Sequence, residues 1–315
     1  MKAIHTYIIY EGSTLDPLEL MTQILSVTKF RELNPNTPFV FYTNSNSLKE
    51  YEKYGITELY DEINTEVLDN YPFDRISSTF WASPKLWVMR HIDEPFVILD
   101  TDLVLYETIE KYSNFGLVYL HRESPTSYPR LYEIDTPDGF EWSFDEIESF
   151  RKSFPINCAC LVWNDINFLK EYTDRYFDFV FENKGELNIS VEEYEWVSKH
   201  GAQIVAEQWL LAALLELRET QGDPLYSISI CPVIYASVDF IPFQIDEGHA
   251  YAEQILNGSI FHLWGGKKYY EDGKLEEYLK LKFTLLEVVK SNLQQTGMWS
   301  SLEYCYDRVK SLFPY

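Results

Sequence analysis

What this sequence has little of narrows it first. Only 4 of its 315 residues are cysteine, Cys158, Cys160, Cys231 and Cys305. Their spacing forms no zinc pattern, and Cys158 and Cys160, two apart in an apolar run, read as reduced core residues. Basic residues are scarce: 26 Lys and Arg stand against 50 Asp and Glu, a formal net charge of −24. Such a surface repels DNA, RNA and anionic lipid, which argues against a nucleic-acid role. No stretch reaches the length of a membrane span, and Met1 to Tyr10 is too short and too polar for a secretory signal, so a cytoplasmic protein is expected. No Gly-x-Gly-x-x-Gly follows the first apolar segment, so the dinucleotide fingerprint is missing. There is no internal repeat and no linker-like stretch.

What is present is a globular composition. Hydrophobic residues make up 46%, too many for a disordered chain. Aromatic residues reach 17%, mostly for core packing, with room for a platform under a sugar or a base. The length accommodates one large α/β domain or two small ones.

The first sixty residues have a β-α-β-α-β rhythm. Ile4 to Tyr10 reads as a strand that ends at Glu11-Gly12-Ser13. Asp16-Pro17 starts a helix that Asn34-Pro35 stops. Phe39 to Tyr42 reads as a second strand, Tyr51 to Tyr54 closes a short helix at Gly55, and Ile56 to Tyr60 reads as a third strand. That rhythm predicts a doubly wound sheet. Ser83-Pro84 then opens a helix, with Ser as its cap. Lys85 falls in its first turn, where a cation opposes the helix dipole; a surface lysine tolerates that, so a bland role and a role near the next strand stand equally.

The next strand carries the strongest signal. In Phe96-Val97-Ile98-Leu99-Asp100-Thr101-Asp102-Leu103-Val104-Leu105-Tyr106, an apolar run is interrupted once, by two carboxylates one residue apart. Unpaired charges are costly to bury, so these acids need a partner. Mg2+ or Mn2+ is the simplest one, as a cation that prefers hard oxygen. The acids would sit at the carboxyl end of a buried strand, where open α/β sheets bind ligands. The bland alternative is a strand that ends in an Asx turn.

Further on, Leu131 to Phe150 is acidic and reads as an exposed excursion. Pro155 to Trp163 reads as a buried strand entered through Asn157, which binds a ligand hydroxyl or merely satisfies backbone groups. Val205 to Leu217 reads as an apolar helix with Glu207 and Gln208 at its start. Ile260 to Trp264 reads as a short strand that carries His262 into Gly265-Gly266-Lys267-Lys268, a turn suited to a phosphate. Leu275 to Val289 reads as an amphipathic helix, followed by a short tail.

In this order the pieces resemble the GT-A nucleotide-diphospho-sugar transferases, and most closely the glycosyltransferase family 8 (glycogenin-like) pattern. In that pattern a lysine-bearing helix (here Pro84-Lys85-Leu86-Trp87) precedes a strand ending in Asp-x-Asp (here Phe96 to Asp102). The family's Asn-small-Gly strand looks like Asn157-Cys158-Ala159, with Ala for Gly. Its Asp-Gln helix start looks like Glu207-Gln208, with Glu for Asp. Its closing His-x-x-Gly-x-x-Lys-Pro-Trp looks like His262, Gly265 and Lys268, with Tyr269-Tyr270 for Pro-Trp.

The resemblance implies a GT-A fold of class α/β: a mixed, Rossmann-like central sheet flanked by helices over 1–270, and a helical extension over 271–315 packed on the same domain. It implies a metal-dependent, retaining hexosyltransferase that moves a sugar from a nucleotide-diphospho-sugar, UDP-sugar first, to a glycan or other hydroxyl acceptor. Asp100, Asp102 and His262 would hold Mn2+ or Mg2+ as a Lewis acid on the leaving diphosphate. Lys268 and Lys85 would offset charge that develops there, with Gly265 beside the phosphate. Tyr10 and Asn44 would contact base and ribose, and Asn157 and Gln208 would bind donor-sugar hydroxyls. The family has no agreed nucleophile; Gln208 and Glu207 are the candidates nearest the reacting face. The three departures keep a second reading open, a GT-A-fold protein that binds nucleotide-sugar or glycan without transfer. A nucleotidyltransferase ranks last, because Glu11-Gly12-Ser13 is neither basic nor glycine-rich.

Overall fold

A computed structural model describes residues 1–10, 14–123, 143, 145, 148–149, 153–182, 201–222, 226–230, 260–262 and 275–313, with 260–262, 275 and 277 followed by their backbone alone. In chain order the strands and helices are β1 (Lys2–Thr6), α1 (Pro17–Leu33), β2 (Phe39–Tyr42), α2 (Ser45–Lys53), β3 (Glu62–Asn64), α3 (Glu66–Asp69), α4 (Ser83–Arg90), β4 (Phe96–Leu99), β5 (Leu103–Leu105), β6 (Leu117–Tyr119), β7 (Cys160–Trp163), α5 (Ile166–Glu182), α6 (Leu210–Gln221), β8 (Ser227–Ser229), β9 (Ile260–His262), α7 (Leu275–Gln295) and α8 (Trp299–Lys310). This is the α/β architecture expected from the sequence: a mixed sheet with helices around it. The chain divides into two compact units, Met1–Asp69 with Val97–Lys111 and Ile241–Tyr315, and Asn70–Phe96 with Tyr112–Phe240.

In the first unit β1 and β2 run parallel, with Ile4 opposite Val40, and β2 and β3 run parallel, with Phe41 opposite Ile63. Strand β4 borders β1 on its other side. Helix α1 starts as its chemistry predicts. The Asp16 carboxylate accepts from the Leu18 and Glu19 amides at 2.7 and 3.3 Å, Pro17 holds the first turn, and Asn34 closes the end. From Leu18 to Thr28 the helix is buried on every side, so its polar residues must find partners inside. Thr22 and Thr28 donate back to the Leu18 and Ile24 carbonyls, each at 2.8 Å. Gln23 donates to the Tyr60 hydroxyl at 2.6 Å, and Ser26 lies 3.2 Å from the His5 ring. Helices α7 and α8 pack against α1 in this unit.

The second unit carries β7 antiparallel to β6, with Val118 opposite Val162, and β8 parallel to β6. Helices α4 and α6 pack against α5, whose Phe168, Leu169, Tyr172, Tyr176 and Phe177 are buried. Cys158 and Cys160 are buried free thiols, as expected. Among the described residues no helix is long and apolar enough to cross a membrane.

Several elements differ from the sequence reading, each for a local reason. Strand β1 ends at Thr6, not Tyr10, because the Ile9 amide turns to the Ser47 hydroxyl at 2.8 Å. The segment expected as a third strand, Ile56 to Tyr60, is a 3-10 turn over Ile56–Leu59, and the strand comes later at Glu62–Asn64. Gly55, at φ 71°, turns the chain there, and Tyr60 stacks on Phe41 with ring centres 4.8 Å apart. Apolar residues read as strand are here the lid of a small aromatic core. Ser83 is not the cap of α4; Ala82 takes that place, and the Ser83 hydroxyl lies 2.6 Å from that of Tyr176. The strand entered through Asn157 begins only at Cys160, because the Asn157 side-chain oxygen accepts from the Ala159 amide at 3.0 Å and turns the chain. Glu207 and Gln208 do not start a helix. The chain is helical from residue 201, and Val205–Trp209 forms one π turn within it. The tail after α7 is a further helix, α8. Most of the acidic excursion at 131–150 lies outside the described residues.

Candidate functional site

The acid pair sits where the sequence places it. Strand β4 is buried throughout, and Asp100-Thr101-Asp102 turns from it into β5, closed by a 3.0 Å bond from the Leu103 amide to the Asp100 carbonyl. Asp100 is half-buried, and Asp102 is only 8% exposed. Between them the Thr101 hydroxyl donates to Glu19 Oε1 of α1 at 2.9 Å. Strand β5 pairs antiparallel with β9, and the register sets His262 opposite Leu103, the residue that follows Asp102. The backbone therefore brings all three expected metal-ligand positions to one end of one strand pair. Among the described residues no three His, Cys, Asp or Glu side chains form a metal cluster. The donor set nonetheless suits a hard divalent ion, because two carboxylates share one tight turn.

The electrostatics of this region are negative. Burial, then the charges of Glu19, Asp102 and Asp16, push the Tyr7 phenol far above its ordinary range, so it keeps its proton. Burial drives His5 down to about 3 against the opposing pull of Asp102, so its ring is neutral at pH 7.

The other expected residues gather in the second unit. The Lys85 ammonium lies 3.0 Å from Glu207 Oε1 and donates to the Cys158 carbonyl at 3.1 Å. Glu207 Oε2 accepts from Gln203 at 3.0 Å, Gln203 in turn accepts from Tyr176 at 3.0 Å, and Tyr176 meets Ser83. The π turn explains how Glu207 and Gln208 are held. A widened turn leaves carbonyls without helical partners, and such turns are frequent at functional sites. Here the Glu207 carbonyl accepts from the Tyr172 hydroxyl at 3.0 Å, and the Gln208 carbonyl accepts from the Ile156 amide at 3.1 Å. That last bond ties Gln208 to the segment carrying Asn157.

Gln208 Oε1 is buried and has no hydrogen-bond partner among the described residues. Asn157 is more committed: its amide donates to Glu123 Oε1 at 2.8 Å, and His121 Nε2 lies 3.4 Å from the same oxygen. Asn44 caps α2, its oxygen accepting from the Ser47 amide at 2.8 Å, and Tyr10 is exposed. Gly265 and Lys268 lie outside the described residues, as does the side chain of His262. Sequence reasoning missed Glu19, Glu123, Gln203 and Tyr172. Each is a polar residue placed within an apolar or irregular segment, a signal that names no partner until the chain is folded.

Comparison with known proteins decides one point. Residues 17–283 match the family model described as a family of unknown function, DUF6734. The chain belongs to that family. Among curated proteins none matches the sequence of this DUF6734 member. Solved structures that match include mouse xyloside xylosyltransferase 1 in its apo form, at 12% identity, covering 73% of this chain and 84% of that one, with a TM-score of 0.36. The galactosyltransferase LgtC with donor and acceptor sugar analogues matches at 14% identity, covering 69% and 70%, with a TM-score of 0.35. The bifunctional glycosyltransferase WbbM matches at 11% identity, covering 95% of this chain and 51% of that one, with a TM-score of 0.45.

Proposed function

We propose that this chain is a metal-dependent glycosyltransferase of the GT-A type, similar to family 8, that takes a nucleotide-diphospho-sugar as donor and a glycan or other hydroxyl as acceptor. The observation that carries the reading is the placement of Asp100 and Asp102 in one closed turn at the end of a buried strand, with His262 across the ladder from Leu103. Asp100, Asp102 and His262 would hold Mn2+ or Mg2+, which supplies Lewis acidity toward a diphosphate leaving group. Gln208 is the proposed partner of a donor-sugar hydroxyl, because its buried side-chain oxygen has no hydrogen-bond partner among the described residues. Glu207 and Lys85 act in this reading as a pair that steadies the π turn. Lys268 is the proposed cation for the phosphate, and Tyr10 and Asn44 are the proposed contacts for base and ribose. Asn44 offers its amide nitrogen, because its oxygen is engaged in the cap.

The test is a thermal-shift series with UDP, GDP and CDP and their sugar conjugates, each with Mn2+ and with EDTA. A ligand bound only by the folded chain stabilises it by about 2.7 kcal/mol at a hundredfold excess over its Kd. The expected result is a shift with one nucleotide that disappears in EDTA and in Asp102→Asn, with unligated Tm unchanged in that isosteric variant. Metal-dependent binding without sugar transfer would select the binding-only reading. No shift with any nucleotide would return Asp100 and Asp102 to a simple turn.

A further inference from the structure

Glu19 is a carboxylate in an unusual place. It lies in the first turn of α1, at the start of the stretch from Leu18 to Thr28 that is buried on every side, and is itself 7% exposed. A carboxylate there is costly unless hydrogen bonds and the helix N-terminus offset its desolvation. The Asp16 cap sets that terminus, and the Glu19 oxygens face two hydroxyls. Thr101 donates to Oε1 at 2.9 Å, and Tyr7 reaches Oε2 at a longer 3.4 Å. Because the Tyr7 phenol is held well above its ordinary range, it remains a donor and cannot compete for a proton. Thr101 is 4% exposed and sits between the two acids. With its side chain drawn inward to α1, the rotation of the turn about the β4 axis is set, and so are the directions available to Asp100 and Asp102.

We propose that Glu19 is a positioning residue: through the Thr101 hydroxyl it fixes the turn that presents Asp100 and Asp102. The geometric part stands on the hydrogen bonds alone. Its consequence for a cation rests on the metal-site reading above. Glu19 touches no reacting atom; it acts through Thr101.

The test uses the full chain with Thr101→Val, which keeps the shape and removes the donor, Glu19→Leu, which removes the acceptor, and Thr101→Ser, which keeps the hydroxyl. Two readouts are taken, hydrogen exchange at the Leu103 amide, whose bond to the Asp100 carbonyl closes the turn, and Mn2+ binding by electron paramagnetic resonance. Exchange at the Ile24 amide, inside α1, is the internal control. Loss of one buried hydrogen bond is expected to speed Leu103 exchange roughly tenfold relative to Ile24 in the Val and Leu variants. Mn2+ affinity is expected to fall about 10- to 100-fold in both, the usual effect of removing support behind a metal ligand. Thr101→Ser is expected to restore both readouts. If Leu103 and Ile24 quicken by the same factor, or neither changes, Glu19 is a general stability residue and the proposal is overturned. If wild type binds no Mn2+ while Leu103 exchange responds as stated, the metal reading falls and the positioning role stands.

Discussion

Replacing Lys85 by Met tests whether the second unit is held by a buried ion pair. The ammonium and the Glu207 carboxylate are 3.0 Å apart, with side chains only 13% and 5% exposed. Met keeps the length and the apolar stem of Lys, so packing changes little while the charge is removed. Glu207 is then left as a buried carboxylate supported on its Oε2 by Gln203. Removing one partner of a buried pair costs about 3–5 kcal/mol, most of it the penalty of stranding the other charge. Glu207→Gln should cost a similar amount, because Lys85 would keep the Cys158 carbonyl at 3.1 Å but lose its counter-charge. The double variant should recover much of this, since two well-packed neutral residues often equal a buried pair in stability. Urea unfolding of the four proteins, read by circular dichroism and by fluorescence of the buried Trp163 and Trp209, gives the coupling from the double-mutant cycle. A coupling above about 2 kcal/mol is expected for a desolvated pair. Single-variant losses under about 1 kcal/mol would place the pair in the solvated class and refute the burial reasoning.

Two further predictions concern the first unit. His5 is held neutral in the fold to about pH 3, against an ordinary histidine value of 6.5, chiefly by burial. Between those values the unfolded chain binds a proton that the folded chain refuses, so stability is complete above pH 6.5 and falls as pH drops. The slope from this one residue is about 1.4 kcal/mol per pH unit. Urea midpoints from pH 7 to 4.5 should therefore fall more steeply in wild type than in His5→Asn, and equal slopes would refute a neutral buried His5. Gly55 has φ 71°, and an added Cβ would meet Tyr304 Cδ1 and Cys305 Cβ at 3.4 and 3.5 Å, ordinary contact distances. The cost of Gly55→Ala is then backbone strain alone, about 1–2 kcal/mol. Gly55→Asn should cost less, since Asn tolerates the left-handed region, and chemical denaturation of the two variants would show the order.

The acid pair was legible because charge inside an apolar run has few explanations, and α1 was legible because Asp16-Pro17 and Asn34 are local chemistry. What could not be read were features whose cause lies elsewhere in the chain. Ile56 to Tyr60 has the composition of a strand, and only the turn at Gly55, the stacking of Tyr60 on Phe41 and its hydrogen bonds with Gln23 and His5 set it apart from one. Gly201 to Gln221 has helical composition throughout, and nothing local announces the π turn. The Glu207 and Gln208 carbonyls in it accept from the Tyr172 hydroxyl and the Ile156 amide, the first of these 35 positions away in the chain. Glu19 likewise looks like an ordinary first-turn acid until Thr101 is set against it.

Under the proposed function these distant partners change the charge argument that the sequence suggests. A diphosphate donor must approach a chain of net charge −24. Lys85 brings no net positive charge, because Glu207 cancels it at 3.0 Å. A divalent ion on Asp100 and Asp102 does little more than balance the carboxylates that hold it. Positive charge left over for the phosphates would come from other cations, and Lys267 and Lys268, which follow Gly265-Gly266 in the sequence, are the pair proposed for it. On that proposal, nucleotide affinity would depend on those lysines and on ionic strength, while Lys85 would act on the π turn that carries Gln208.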